Sequence, residues 1–239
     1  MEKILIGCIT YDGQKHCLES FLKALSETGK RDVIFVDNSM KDDYSELLRS
    51  KGFKVIRDKP KEENRIDRII SGRNIIREYF LKSDYDYLFF LDTDVLIPKD
   101  TFQQLLKCET DIATGVYLCN QDIRNKRMIA PVIYKIRGPD TVQVATIKEM
   151  IPERIFEIAV CGLGSALIKR KVLEKVPFRQ FTDLNEVQDD VAFCVDSRKA
   201  GFKIKVNTAV KCDHVVKLFG GYRTLRIDLE GIKNIQEGD

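Results

Sequence analysis

The chain has 239 residues, and 40 Lys and Arg against 37 Asp and Glu leave a net charge of +3. That length suits one large α/β domain or two small ones, and no linker, low-complexity run or internal repeat argues for two. No basic block or basic–aromatic interleave marks a nucleic-acid binder, and no run of about 20 apolar residues provides a membrane-spanning helix, although peripheral contact with a membrane stays compatible.

Taken in order, residues 3–10 read as a first buried strand, in an apolar run too short and too soon broken for a signal peptide. Leu18, Phe21, Leu22 and Leu25 then recur with helical spacing, and Gly29 fits the stop. Residues 32–38 (DVIFVDN) give a second strand, 42–50 a short helix closed by Gly52, and 54–57 a third strand. A long helix spans 66–81, and residues 85–91 form the fourth strand. This β-α-β-α-β-α-β order predicts a mostly parallel sheet with right-handed crossovers. In the second half, residues 111–118, 128–136, 141–147 and 159–169 read as strands, 171–176 and 189–200 as helices, and 202–206 as a half-buried strand. Residues 209–213 lead to His214. The tail with Gly220-Gly221 has no assignment. The seven cysteines are odd in number, lack a C-x-x-C and lie mainly in apolar stretches, which predicts reduced thiols in a cytoplasmic protein.

The most informative stretch is YDYLFFLDTDVLIP, residues 85–98. An apolar strand delivers Asp92 and Asp94, with Thr93 between them, to the point where buried strands reach water. Carboxylates there are costly to desolvate without a positive partner. Open α/β sheets bind ligands beyond the carboxyl ends of their strands, where a D-x-D can hold a divalent cation and attached phosphates. A solvated turn with helix-capping acids is the plain alternative. Asp37 ends the second strand at the same edge, as a ligand contact or an Asx turn. Thr10 and Tyr11 end the first strand there, and Tyr11 is either a stacking platform or a loop aromatic. Gly72 inside the long helix costs about 1 kcal/mol relative to Ala, which close approach to a backbone or ligand would justify. Arg73 beside it is a ligand contact or a solvated arginine. Gly162 and Gly164, in VCGLGS, form a turn that admits a sugar or phosphate, or a bulge. Asp189 and Asp190 open a helix as capping acids or as a general base with its neighbour. His214 is a further metal ligand or a structural histidine.

In this order the pieces resemble a GT-A-type glycosyltransferase of the family 2-like kind, over roughly residues 3–214. The resemblance rests on the T-Y turn, VDNS, G-R-N, FLDTDV, the G-x-G strand, DD-x-x-F, AGFKI and the final D-H. It implies an α/β GT-A fold: a Rossmann-like, mostly parallel sheet flanked by helices, with a mixed second half. The chain would be one domain over 1–239, with a nucleotide-binding half (1–94), an acceptor half (95–214) and a tail (215–239). The implied donor is a nucleoside-diphosphate sugar, UDP- or GDP-linked. Thr10, Tyr11, Asp37, Arg73, Asp92 and Thr93 would hold the nucleotide. Asp92, Asp94 and His214 would bind Mn2+ or Mg2+. Gly162, Gly164 and Asp189 would border the sugars, and Asp190 would be the general base of an inverting transfer to an unidentified acceptor hydroxyl. The family more often has Glu-Asp where this chain has Asp189-Asp190. The Q-x-x-R-W signature of processive membrane synthases is absent, as is any Trp.

DTDV also fits the nucleophile motif of haloacid-dehalogenase-type phosphatases. Against that reading, three strand–helix units precede Asp92, and the residues before the second acid pair, 185–188, are polar. A non-catalytic sugar-nucleotide-binding protein on the same fold is the other alternative.

Overall fold

Side-chain alternation in one strand sets the layering. Along Tyr87–Leu91, Leu88 and Phe90 enter one apolar cluster while Phe89 and Leu91 enter another on the opposite face. A strand buried on both faces belongs in the middle of a helix-flanked sheet. The computed structural model describes residues 2–59, 64–123, 126–138, 141–180, 189–218, 220–228 and 231–235.

The first half runs β1 (Ile4–Thr10), a 3-10 helix (Asp12–Cys17), α1 (Leu18–Glu27), β2 (Asp32–Asp37), α2 (Asp43–Ser50), β3 (Lys54–Arg57), α3 (Arg65–Leu81) and β4 (Tyr87–Leu91). The second runs β5 (Val95–Leu96), α4 (Thr101–Leu106), β6 (Ile112–Val116), β7 (Leu118–Ile123), β8 (Lys126–Pro131), β9 (Ile133–Gly138) and β10 (Thr141–Val144). It continues with α5 (Ile147–Met150), β11 (Ile155–Glu157), β12 (Val160–Cys161), β13 (Ser165–Lys169), α6 (Arg170–Lys175) and α7 (Asp189–Lys199). Strands β14 (Ile204–Lys211), β15 (Asp213–Leu218), β16 (Gly221–Asp228) and β17 (Gly231–Ile235) close the chain. The main sheet has eight strands in the order β11-β14-β6-β13-β4-β1-β2-β3. It is mainly parallel, with β13 antiparallel to both neighbours and β11 antiparallel to β14. This is the expected α/β architecture with a mixed second half. No helix among the described residues is long and apolar enough to cross a membrane.

Several boundaries differ from the sequence reading, each for a local reason. The strand expected over 128–136 breaks into β8 and β9 after Pro131, which has no N–H for a ladder. The strand expected over 141–147 stops at Val144, because Thr146 and Glu149 form a capping box that starts α5. Gly162-Leu163-Gly164 divides 159–169 between two sheets. Residues 202–206 and 209–213 contribute to one strand, β14, and His214 lies inside β15. The tail is a meander: β17, β16 and β15 form a sheet that ends on β5, with Gly220 at φ +83° in the β15–β16 turn.

Two glycines let α3 lie close on β1. A Cβ at Gly7 would come within 2.5 Å of Ile76 Cγ2, and one at Gly72 within 3.1 Å of Ile9. Backbone approach therefore accounts for the glycine inside the helix. The far end of α3 is held by Arg170, whose guanidinium donates to the carbonyls of Phe80 (3.3 Å), Leu81 (3.4 Å), Ser83 (2.8 Å) and Tyr85 (2.7 Å). It also lies over the Phe80 ring. A lysine has neither the planar fork nor enough donors for this fan. Arg170→Lys should destabilise the protein by about 1.5–3 kcal/mol, the scale of hydrogen bonds from charged groups, with the loss read from urea unfolding.

Candidate active site

Parallel register brings the carboxyl ends of β1, β2 and β4 to one edge. Thr10 pairs with Asp37 across β1 and β2, and β4 ends beside them. Beyond that edge is a cleft of about 470 Å³ lined by residues that include Thr10, Tyr11, Arg73, Asp92, Thr93, Asp94, Asp189, Asp190 and His214. Residues far apart in sequence meet there through backbone pairing. The Asp92 N–H donates to Gly164 O (3.1 Å) and the Val215 N–H to Asp94 O (2.8 Å), while His214 pairs with Val95.

Each member of G-R-N has its own contact. Gly72 approaches Ile9. Asn74 bonds the backbone of Phe178 in both directions, Nδ2 to the carbonyl at 2.9 Å and Oδ1 from the N–H at 3.1 Å. Between them, Arg73 is buried with its Nε donating to Asp189 Oδ2 at 2.6 Å, while Nη2 stands 3.8 Å from Asp92 Oδ1. Its guanidinium lies over the Phe90 ring. Burial opposes its charge, but Asp189, Asp92 and Asp190 outweigh that and hold its pKa above the ordinary value. Arg73 therefore stands between the two acid pairs.

The acids differ accordingly. Burial pushes Asp190 up to about 7; the neighbouring Asp189 charge adds to this and Arg73 opposes it. Asp92 is raised by burial against the pull of Arg73. Burial would also raise Asp94, but the His214 contact and the Gln14 amide, which donates at 3.1 Å, hold it below the usual range. His214 Nε2 is 3.5 Å from Asp94 Oδ1. Its Nδ1 lies 2.6 Å from the Leu118 carbonyl, which can only accept, so Nδ1 carries a proton and Nε2 faces Asp94. Burial lowers the His214 pKa, and Asp94 more than restores it.

Among the described residues no three His, Cys, Asp or Glu side chains are gathered as a metal site: Asp94 faces His214 while Asp92 faces Arg73. The donor chemistry nevertheless fits a divalent cation. A backbone carbonyl fixes the His214 tautomer with Nε2 toward an ionised carboxylate, which is how proteins orient metal-binding imidazoles.

Other expected residues lie differently. Asp37 does not line the cleft. It is fully buried, with its carboxylate accepting from Arg57 Nη1 (2.7 Å), the Ser39 N–H (2.9 Å) and the Ser39 hydroxyl. Asn38 lines the cleft instead. Thr10 Oγ1 lies 3.2 Å from Thr93 Oγ1, both deeply buried, and Tyr11 is exposed. Leu163 lines the cleft, and its flanking glycines, Gly162 and Gly164, make room for Tyr117 and Asp92. The polar stretch 185–188 lies outside the described residues. Sequence reasoning missed Gln14, Tyr117 and Asn38. Gln14 carried no signal in a polar turn, and Tyr117 read as one more apolar strand residue.

The class that this fold defines is the GT-A glycosyltransferase. The sequence pattern of glycosyl transferase family 2 matches residues 9–177, and the chain belongs to that family. No curated protein matches the sequence. Among solved structures, A197 from STIV is 19% identical with a TM-score of 0.51, covering 99% of this chain and 95% of its own. TarS 1-349 of S. aureus in complex with UDP-GlcNAc is 15% identical with a TM-score of 0.54 over 86% of this chain and 56% of its own. GalNAc-T7 with UDP, GalNAc and Mn2+ is 12% identical with a TM-score of 0.64 over 92% of this chain and 45% of its own. At these identities the likeness is one of fold.

Removing Arg73 leaves Asp189 buried without its partner. Arg73→Met should cost about 3–5 kcal/mol in denaturant unfolding, and adding Asp189→Asn should recover a measurable part. Additive losses in the double variant would dissolve the pairing.

Proposed function

We propose that the protein transfers a sugar from a nucleoside-diphosphate sugar to an acceptor hydroxyl, with inversion, assisted by a divalent cation. The observation that carries this reading is the sorting of acids around Arg73. Asp189 is neutralised and immobilised by the guanidinium. Asp190 is left with a raised pKa in the same cleft as Asp92, Asp94 and His214.

Asp94 and His214, with Asp92 beside them, would hold Mn2+ or Mg2+. When bound, the cation supplies Lewis-acid neutralisation of the charge developing on the departing diphosphate. Gln14 keeps Asp94 turned toward His214. Thr10, Thr93, Tyr11 and Asn38 border the nucleotide end of the cleft. Asp37 acts there indirectly, through its bonds to Ser39 and Arg57. Asp190 accepts the acceptor's hydroxyl proton as its oxygen bonds the anomeric carbon. The bond from that carbon to the phosphate oxygen breaks in the same step, and the nucleoside diphosphate leaves. Asp189 is tied to Arg73 and is not available as a covalent nucleophile, which favours a single displacement. That TarS and GalNAc-T7 were crystallised with UDP ligands supports a UDP-linked donor. A phosphatase reading of DTDV has no counterpart in the family match.

The direct test is a thermal-shift screen of UDP-, GDP-, CDP- and dTDP-sugars with and without Mn2+, since a ligand of the native state raises its stability by mass action. Asp94→Ala should leave the protein folded and remove the Mn2+-dependent part of the shift; an unchanged Mn2+ dependence would remove Asp94 from the cation site.

Asp190→Asn should bind donor like the wild type and transfer at least about a hundredfold more slowly. In the wild type, the transfer rate should rise with pH through about 7, where Asp190 loses its proton. The same residue carries a stability signature. Its folded pKa lies above its ordinary 3.8, so the native state holds the proton more tightly than the unfolded chain. Asp190 therefore lowers stability progressively as pH rises from about 4 to about 7. Asp190→Asn should be more heat-stable than the wild type at pH 8, a difference that shrinks toward pH 4. A less stable variant at pH 8 would refute the buried-acid assignment.

A further inference from the structure

Tyr117, between β6 and β7, holds a proton that the rest of the structure does not use. The residue is 7% exposed, and its hydroxyl oxygen accepts the Gly164 N–H at 3.2 Å. No described residue accepts the hydroxyl's own proton. Buried polar groups are nearly always satisfied, so a buried O–H without an acceptor calls for an explanation.

The phenol's position is built, not incidental. Its ring meets His214 edge to face, with centroids 5.4 Å apart. A Cβ at Gly162 would lie 2.0 Å from the Tyr117 oxygen. One at Gly164 would lie 3.0 Å from that oxygen and 2.7 Å from Asp92 Oδ2. Both glycines of VCGLGS thus clear space for this hydroxyl, and Gly164 clears space for Asp92 as well. Tyr117 lines the cleft together with Asp92 and Asp190. A phenol titrates at about 10 and is protonated at neutral pH, so it serves there as a hydrogen-bond donor, not as a base.

We propose that the Tyr117 hydroxyl donates a hydrogen bond to an oxygen of the sugar being transferred and so helps set which sugar is accepted. The inference rests on the donor reading above. It follows from what flanks the phenol. Asp92, on the diphosphate side, borders the same space left open by Gly164, and Asp190, the base for the incoming hydroxyl, lines the same cleft. The atoms between a diphosphate and an attacking hydroxyl are those of the sugar. A site built to donate to a substrate oxygen discriminates against sugars that do not present it there.

Tyr117→Phe removes only the hydroxyl and keeps the ring and its contact with His214. The experiment compares wild type and variant by calorimetric titration in Mn2+, using UDP, UDP-glucose, UDP-galactose and UDP-N-acetylglucosamine, with GDP and GDP-mannose as a second series. Steady-state turnover of each sugar nucleotide is measured in parallel. The expected result is diphosphate affinity within about twofold of the wild type, with a loss of about ten- to a hundredfold in affinity or kcat/KM for the preferred sugar nucleotide. The preference among sugars should narrow. Gly162→Ala, which crowds the same hydroxyl, should shift sugar preference in the same direction while leaving diphosphate binding in place. Equal losses for diphosphate and sugar nucleotide would move Tyr117 to the diphosphate and overturn the proposal. Unchanged binding and turnover of every sugar nucleotide, with diphosphate binding intact, would overturn it while sparing the donor reading. Failure of the wild type to bind any diphosphate or sugar nucleotide would overturn both.

Discussion

A buried guanidinium between two pairs of acids is the constraint on which the site depends. Asp92, Asp94, Asp189 and Asp190 line one cleft, and carboxylates brought together in partly desolvated surroundings repel one another and resist ionisation. Arg73 answers this from within α3: it bonds Asp189 directly and faces Asp92. Arginine keeps its charge even when buried. It thereby differentiates acids of the same type, holding Asp189 in an ion pair and leaving Asp190 with a raised pKa. His214 does the corresponding work for Asp94 from the other side of the cleft.

The backbone places Arg73 and the Asp189–Asp190 pair on helices and Asp92 and Asp94 in the short turn between β4 and β5. α3 must lie close on β1 for Arg73 to reach the strand ends, and Gly7 and Gly72 permit that approach. Asn74 ties the same helix turn to Phe178, whose ring stacks on Phe193 of α7, the helix that Asp189 and Asp190 open. The helix that supplies the cation is thus braced against the helix that supplies its partner. Placing reacting groups on braced elements holds their geometry more tightly than loops do.

The first half of the fold was legible because its signals are local. Apolar runs such as LFFL, helical spacing at Leu18, Phe21 and Leu25, and glycines after helices all act within a few residues. The cleft lining was legible where a motif follows a strand, as with Asp92 and Asp94, or opens a helix, as with Asp189 and Asp190. It was not legible where long-range pairing decides the outcome. Nothing near Asp37 announces that Arg57, on the next strand, occupies its carboxylate. Nothing in GVYL marks Tyr117 as a polar contact in place of one more core residue. The ion pair of Arg73 was hidden for the same reason. Its partner Asp189 lies 116 residues away, on a helix that no local pattern links to α3. The tail shows no strong period, and its strands pair with one another and join the rest of the fold through the pairing of β15 with β5.

The pairing of β5 with β15 has a consequence in time. Asp94 precedes the two-residue strand β5, whereas His214 arrives well over a hundred residues later and is positioned by backbone bonds to that same short segment. Such a pairing closes a long loop and forms late relative to the local β-α-β contacts. During synthesis, strands β1 to β4 can assemble while the cleft still lacks its imidazole. The complete cleft would therefore be one of the last features the folding chain acquires, and under the proposed function partly made chains would not sequester the donor.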